Sequence, residues 1–313
     1  MRTAGQLAEA GRTYDDDSTP LARAAEQSVL ARSGHLHRDR PAARPDATRV
    51  FVVANQKGGV GKTTTTVNVA VALAQLGQRV LVIDLDPQGN ASTALGVDHH
   101  RGVPSTYDML VDGEPLADVM SESDEIAGLW VVPATIDLAG AEIELVSMVA
   151  RETRLQTALV GHPWIGSAAD VGDERFDYVL IDCPPSLGLL TLNALVAGRE
   201  MFIPIQAEYY ALEGLGQLLE TVEMVRKHLN QRLVVTTILL TMYDARTRLA
   251  AGVASEVREH FGSEVLKTAI PRSVRVSEAP SYGQTVMTYD PASAGALSYL
   301  EAAREIATMG APQ

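Results

Sequence analysis

Cysteine occurs once in this 313-residue chain, at position 183, so no internal disulfide can form and no iron–sulfur cluster or structural zinc site can be assembled from thiolates. No apolar run approaches the roughly 20 residues of a membrane-spanning helix. The beginning of the chain has no signal-type apolar core, and its acids do not suit a mitochondrial transit peptide. These absences make the cytoplasm the expected location. Positive charge is also short, with 26 Lys and Arg against 39 Asp and Glu, a net −13. On its face that balance disfavours nucleic acid, because phosphate binding needs clustered cations. Neither zinc-finger spacing nor a helix-turn-helix signature is present, so base-specific readout is not expected.

What the chain does contain is a phosphate loop. The run Lys57-Gly58-Gly59-Val60-Gly61-Lys62-Thr63-Thr64 follows the apolar stretch Val50–Ala54 and opens an Ala- and Val-rich helical stretch. Such a loop must point successive backbone N–H groups into one concavity, which Gly58, Gly59 and Gly61 permit by reaching positive φ at little cost. The following helix turns its N-terminal partial charge toward the same anion. Lys62 then reaches the β- and γ-phosphates, Thr63 completes a magnesium shell, and Thr64 is available to the α-phosphate. Aligned on Gly61-Lys62-Thr63, the common G-x-x-x-x-G-K-[ST] pattern expects its first glycine where this chain has Gln56, and the next residue is Lys57. By charge alone Lys57 is a solvated loop lysine.

Two further apolar runs end in acids. Arg79–Asp86 reads as a buried parallel strand ending in Asp84 and Asp86, followed by Pro87-Gln88-Gly89-Asn90. Tyr178–Asp182 is followed by Cys183-Pro184-Pro185-Ser186. An acid terminating a buried strand is the Walker B arrangement, so Asp182 is the expected holder of magnesium, often through a water. The tandem prolines enforce a loop there, and Cys183 is expected as a small buried side chain.

The strand-then-helix alternation continues. Met201–Pro204 and Leu233–Leu240 suit buried strands, and Gly214–Leu229 and Ala250–Phe261 suit amphipathic crossover helices. This is the pattern of an α/β fold with a doubly wound, mostly parallel sheet flanked by helices, the P-loop NTPase fold. Residues 1–46 differ, being Arg-, Ala- and Asp-rich with no strand pattern, and read as a flexible extension ahead of an ATPase domain over 47–313. Within the extension, Ser18–Leu30 has a cap, a proline at the first helical position and a partial apolar stripe, so it reads as a transient helix or one that docks a partner.

The loop K-G-G-V-G-K-T-T, together with D-L-D-P-Q-G-N from Asp84 to Asn90, the Asp182 strand, Pro204–Gly214 and Ile270–Ser281, resembles the ParA/Soj type within the ParA/MinD group of deviant Walker A ATPases. The resemblance runs from about residue 48 to the end. It implies that Lys57 is the extra lysine that crosses to the partner subunit's nucleotide in an ATP-sandwich homodimer, much as an arginine finger does. It also implies that Asp86 orients or deprotonates the attacking water, with Asp84 nearer the metal and the loop scaffold. Met242, Pro271 and Ser273 would border the adenine. Tyr209 and Tyr210 would lie beside the dimer interface, although as aromatics they equally suit a core. ATP and Mg2+ are the implied cofactors, and a ParB-type centromere-binding protein the implied activator of hydrolysis.

Charge is unevenly spread. From Arg226 to Arg275 there are nine Lys and Arg against four acids, +5 for the segment and −18 for the remainder. A basic segment in an acidic chain can form one DNA-facing patch. The resemblance assigns Arg246 and Arg275 to non-specific binding of double-stranded DNA and implies a nucleoid-associated bacterial protein. A MinD-like membrane-associated ATPase is the alternative, but it should end in a basic amphipathic helix. Leu297–Met309 carries two acids and one arginine on a stripe better suited to packing on the domain, so no membrane partner is expected. A metabolic ligase or reductase on the same scaffold is a third possibility, for which the chain offers neither substrate motif nor cluster cysteines.

Overall fold

The computed structural model describes residues 41–208 and 211–310, side chains of residues 211–213 excepted. The expected helix near Ser18–Leu30 and the Tyr209–Tyr210 pair lie outside the described residues. Eight strands form one sheet: β1 (Arg49–Val53), β2 (Val80–Asp84), β3 (Ser121–Glu122), β4 (Leu129–Val132), β5 (Tyr178–Asp182), β6 (Glu200–Gln206), β7 (Val234–Tyr243) and β8 (Val265–Pro271). Their order is β3-β4-β2-β5-β1-β6-β7-β8. All neighbours are parallel except β3, which runs antiparallel to β4 at the edge.

The strands are near-continuous apolar runs because both faces are covered. On one face Val50, Val52, Leu81, Ile83, Val179 and Ile181 pack with the helices Leu138–Val146, Leu189–Ala197, Ala211–His228 and Arg248–Phe261. On the other, Phe51, Val53, Val80, Val82 and Leu180 meet the helices Lys62–Gln75 and Ala294–Thr308. This alternation along one strand is the period-2 pleat expressed as two hydrophobic layers. The doubly wound architecture expected from the sequence is what the chain forms.

Three strands were not singled out by pattern. β4 is the four-residue run Leu-Trp-Val-Val, too short for periodicity to separate from a helix segment. β8 is an edge strand whose burial is mixed and whose Lys267 is exposed, which blurs the apolar signal. β3 has only two residues, both exposed.

Residues 41–46, expected within a flexible extension, are tied to the domain. The Ala42 N–H donates to the Leu76 carbonyl at 3.0 Å, and Gln78 Nε2 donates to the Ala42 carbonyl at 2.9 Å. Arg44 Nε lies 2.8 Å from Asp177 Oδ1, and Asp177 is fully buried. An acid with no solvent needs such a cation. The folded unit therefore begins no later than Pro41.

Candidate nucleotide site

β5 inserts between β1 and β2, and register pairs Val53 and Asp84 with Asp182 on either side. The strand ends thus place the loop after β1 beside Asp182, and Asp182 beside Asp84. Binding crevices of open α/β sheets form at these C-terminal strand ends. Neighbouring strands hold the phosphate loop from the other flank: Asn55 Nδ2 donates to the Pro204 carbonyl after β1, and Thr241 Oγ1 of β7 donates to the Val60 carbonyl, both at 2.8 Å.

Two of the three loop glycines take the left-handed backbone expected of them, and Gly58 does not. Gly59 and Gly61 adopt φ of 74° and 87°, and a side-chain carbon at Gly58 or Gly59 would meet nothing within 4 Å, so open space faces the backbone there. The helix Lys62–Gln75 starts at Gly61 with no side-chain cap on its N–H groups, which leaves those donors for an anion. Lys62 is buried at 7% exposure, and its Nζ reaches only the Lys57 carbonyl, at a long 3.3 Å. Burial lowers the Lys62 pKa against the opposing pull of Asp182, Cys183 and Asp86. A desolvated ammonium aimed into a glycine cradle fits a phosphate. Lys57, by contrast, stands at the rim with its side chain 35% exposed and its Nζ 2.8 Å from Glu208 Oε2.

The acids divide by environment. Asp84 is fully buried and accepts hydrogen bonds from Ser92 N, Ser92 Oγ and Asp86 N; burial nevertheless pushes its pKa up to about 6. Asp182 accepts from Thr66 Oγ1 at 2.9 Å through Oδ1, while its buried Oδ2 has no hydrogen-bond partner. Burial and the neighbouring Asp84 carboxylate raise its pKa to about 8 against the opposing pull of the Thr63 and Thr66 hydroxyls, which sets Thr63 beside this carboxylate. Such an unsatisfied carboxylate oxygen is the kind of donor a divalent cation satisfies. Among the described residues no three His, Cys, Asp or Glu side chains are arranged to hold a metal unaided. Asp86 lies just past the end of β2, 9% exposed, with Oδ1 accepting from Gln88 N at 3.0 Å. Cys183 is buried as expected, and burial pushes its thiol pKa well up, which makes it inert.

The remaining expected residues lie at the C-terminal ends of β7 and β8 and in the segments that follow them. Tyr243 pairs with Pro271, and Arg272 N donates to the Tyr243 carbonyl at 3.3 Å, so Met242 near the end of β7 and Ser273 just past β8 adjoin. Met242 holds φ at 49°, an unusual state for a non-glycine residue that the surrounding structure must enforce. Arg246 is 83% exposed and bidentate to Asp244, whose pKa this hydrogen bonding lowers to about 2. Arg275 is 56% exposed and lies 3.1 Å from Glu278 and 3.4 Å from Asp290. Both arginines follow adjacent strands, yet each already has acidic company.

Sequence reasoning gave no role to Thr66, Ser92, Asn55 or Thr241, which hold the acids and the loop in place. Glu208 was noticed only as part of a motif. Its position two residues beyond the end of β6 was the available signal, since strand ends collect site residues.

Residues 48–235 match the family model described as an AAA domain. The chain is 51% identical over 262 residues to the sporulation initiation inhibitor protein Soj of Bacillus subtilis, covering 84% of this chain and 99% of that one. It is 50% identical over 258 residues to the chromosome partitioning protein ParA of Caulobacter vibrioides, covering 82% and 93%. This chain belongs to the Soj/ParA family of chromosome-partitioning ATPases. A solved structure from Mycobacterium smegmatis, described as cobyrinic acid a,c-diamide synthase with bound ADP and magnesium, matches with a TM-score of 0.66 at 39% identity, over 82% of this chain and 92% of that one.

Proposed function

We propose that this Soj/ParA-family ATPase segregates DNA: its ATP-bound form is a face-to-face homodimer that binds double-stranded DNA without sequence preference, and hydrolysis releases it. The observation that carries this reading is the contrast between two lysines of one loop, Lys62 buried against the cradle and Lys57 exposed at its rim. A buried lysine serves its own chain's nucleotide. The exposure of the rim lysine supports a role toward a second chain.

In this reading Lys57 to Thr64 bind the phosphates, Thr63 and Asp182 hold magnesium, and Met242, Pro271 and Ser273 border the adenine. Bound Mg2+ supplies charge neutralisation on the phosphate oxygens. Asp86 orients or deprotonates the attacking water. Lys57 stabilises developing charge from the partner side, so a lone chain is a weak ATPase. The switch lies in affinity, since each nucleotide state biases a different assembly. A ParB-type protein is the expected stimulator of hydrolysis, and the nucleoid the expected location.

Arg246 and Arg275 supply the phosphate contacts to DNA. Their carboxylate partners compete with DNA, so the contact should be weak per subunit and strongly salt-dependent. The membrane-associated alternative meets an obstacle in the helix Ala294–Thr308, whose Leu297, Tyr299, Leu300 and Ile306 are buried in the domain. Among the described residues no helix is long and apolar enough to cross a membrane.

Sedimentation with long non-specific DNA tests the reading. Binding should require ATP or a non-hydrolysable analogue, disappear in Lys57→Ala and persist longer in Asp86→Ala. Arg246→Glu and Arg275→Glu should each lose DNA while still binding ATP. Nucleotide-independent binding would remove the ATP switch, retention by both arginine variants across a salt titration would remove the arginine assignment, and no binding at all would remove the DNA reading; ATP-dependent capture by anionic liposomes would favour the membrane alternative.

A further inference from the structure

The rim lysine is not free. Lys57 Nζ lies 2.8 Å from Glu208 Oε2, with side chains 35% and 45% exposed, and Gln206 Nε2 donates to the other Glu208 oxygen. Glu208 stands in the loop after β6, and β6 is the sheet neighbour of β1, so adjacent strands deliver the two residues. The backbone is set for the contact as well: Lys57 N donates to Asn55 Oδ1 at 3.0 Å, and Asn55 Nδ2 binds the Pro204 carbonyl of β6 at 2.8 Å. The same loop carbonyl, Lys57 O, receives Lys62 Nζ at 3.3 Å. Both lysines are thus engaged within one chain, Lys62 by a backbone oxygen and Lys57 by a carboxylate.

We propose that Glu208 is a positioning residue that holds Lys57 in its own chain and must release it before Lys57 can reach the partner subunit's nucleotide. This rests on the role proposed above for Lys57. Glu208 offers Lys57 an anionic oxygen in place of a phosphate, and one ammonium cannot remain on Glu208 while reaching across an interface. A symmetric dimer breaks two such bridges.

The bridge is exposed, so each is a modest restraint. Exposed pairs are worth about 1.4- to 5-fold in an equilibrium constant, and two per dimer multiply to about 2- to 25-fold. A restraint of that size tunes the threshold for dimerisation without preventing it.

The test is analytical ultracentrifugation in saturating non-hydrolysable ATP analogue and Mg2+, comparing the wild-type chain with Glu208→Gln, Lys57→Ala and the double variant. Glu208→Gln should dimerise about 2- to 25-fold more tightly. Lys57→Ala should dimerise poorly, and the double variant should match Lys57→Ala, because the restraint has nothing left to hold. An unchanged or weaker dimer in Glu208→Gln, with Lys57→Ala still defective, overturns the Glu208 proposal and leaves the Lys57 role standing. A Lys57→Ala chain that dimerises like wild type overturns the Lys57 role and the proposal with it. Thermal unfolding of the ligand-free variants distinguishes damage to the fold: Glu208→Gln should melt with the wild type, and if it does not, the Glu208→Ser variant in the same dimer assay must show the same tightening for the proposal to stand.

Discussion

Asp182 concentrates the conflict between stability and function in one side chain. It is fully buried, faces Asp84 and Asp86 as well as Lys62, and leaves Oδ2 without a partner. Its folded pKa, raised to about 8, exceeds the ordinary carboxylate value near 4, so the folded state holds this proton more tightly than the unfolded one. The stability it allows is therefore fully present below pH 4 and declines as pH rises toward 8. Asp84, raised to about 6, acts in the same direction over the lower part of that window. We expect Asp182→Asn to stabilise the ligand-free protein at pH 8 by about 1–3 kcal/mol, because the neutral amide removes a buried negative charge that faces Asp84. The variant should also flatten the fall in melting temperature between pH 5 and 8, and lose the extra stability that ATP with Mg2+ confers on the wild type. Thermal unfolding across pH checks this, and a variant that melts lower at pH 8 would refute it.

At the scale of elements, the packing of helices on the sheet depends on a few close approaches. Gly198 ends the helix Leu189–Ala197 where a side-chain carbon would lie 2.2 Å from Val52 Cγ2 of β1 and 3.1 Å from the Ala194 carbonyl. Gly198→Ala should force the helix end away from the strand that carries the phosphate loop, at a cost of about 1–3 kcal/mol. Gly252, inside the helix Arg248–Phe261, has nothing within 4 Å of the same added carbon. Gly252→Ala should therefore stabilise by about 0.4–1 kcal/mol through lost unfolded-state freedom. Chemical denaturation of the two variants should move in opposite directions. The contrast was invisible in the sequence, where each glycine sits in or beside a helical stretch; only the position of β1 distinguishes them.

At the scale of the whole molecule, the segment ahead of β1 belongs to the domain's stability. Arg44 joins Arg175 on the buried Asp177 carboxylate, and Arg175 Nη2 also donates to the Pro45 carbonyl at 2.5 Å. A chain lacking residues 1–46 should melt about 2–4 °C below one lacking residues 1–40, as expected for about 1 kcal/mol in a domain of this size class. Equal melting temperatures would mean that Arg175 alone satisfies Asp177. The sequence placed the boundary at 46 because Pro41–Asp46 has no strand or helix period, and periodicity is blind to a segment held by side chains from elsewhere.

By itself the sequence determined the sheet class, the phosphate loop and the strand-end acids, because each is local: glycines at fixed spacing set backbone dihedrals, and an apolar run ending in Asp sets a strand and its tip. Lys57 stood out for the same reason, as a charge at a fixed place in a loop. Tertiary structure decided what these residues face. Inserting β5 between β1 and β2 sets Asp182 against Asp84, pairing β1 with β6 brings Glu208 to Lys57, and pairing β7 with β8 brings Met242 of β7 beside Ser273 past β8. These partners are separated by up to about 150 positions in sequence, as Lys57 and Glu208 are at 151. No spacing rule reaches across such a gap; the order in which strands join the sheet does.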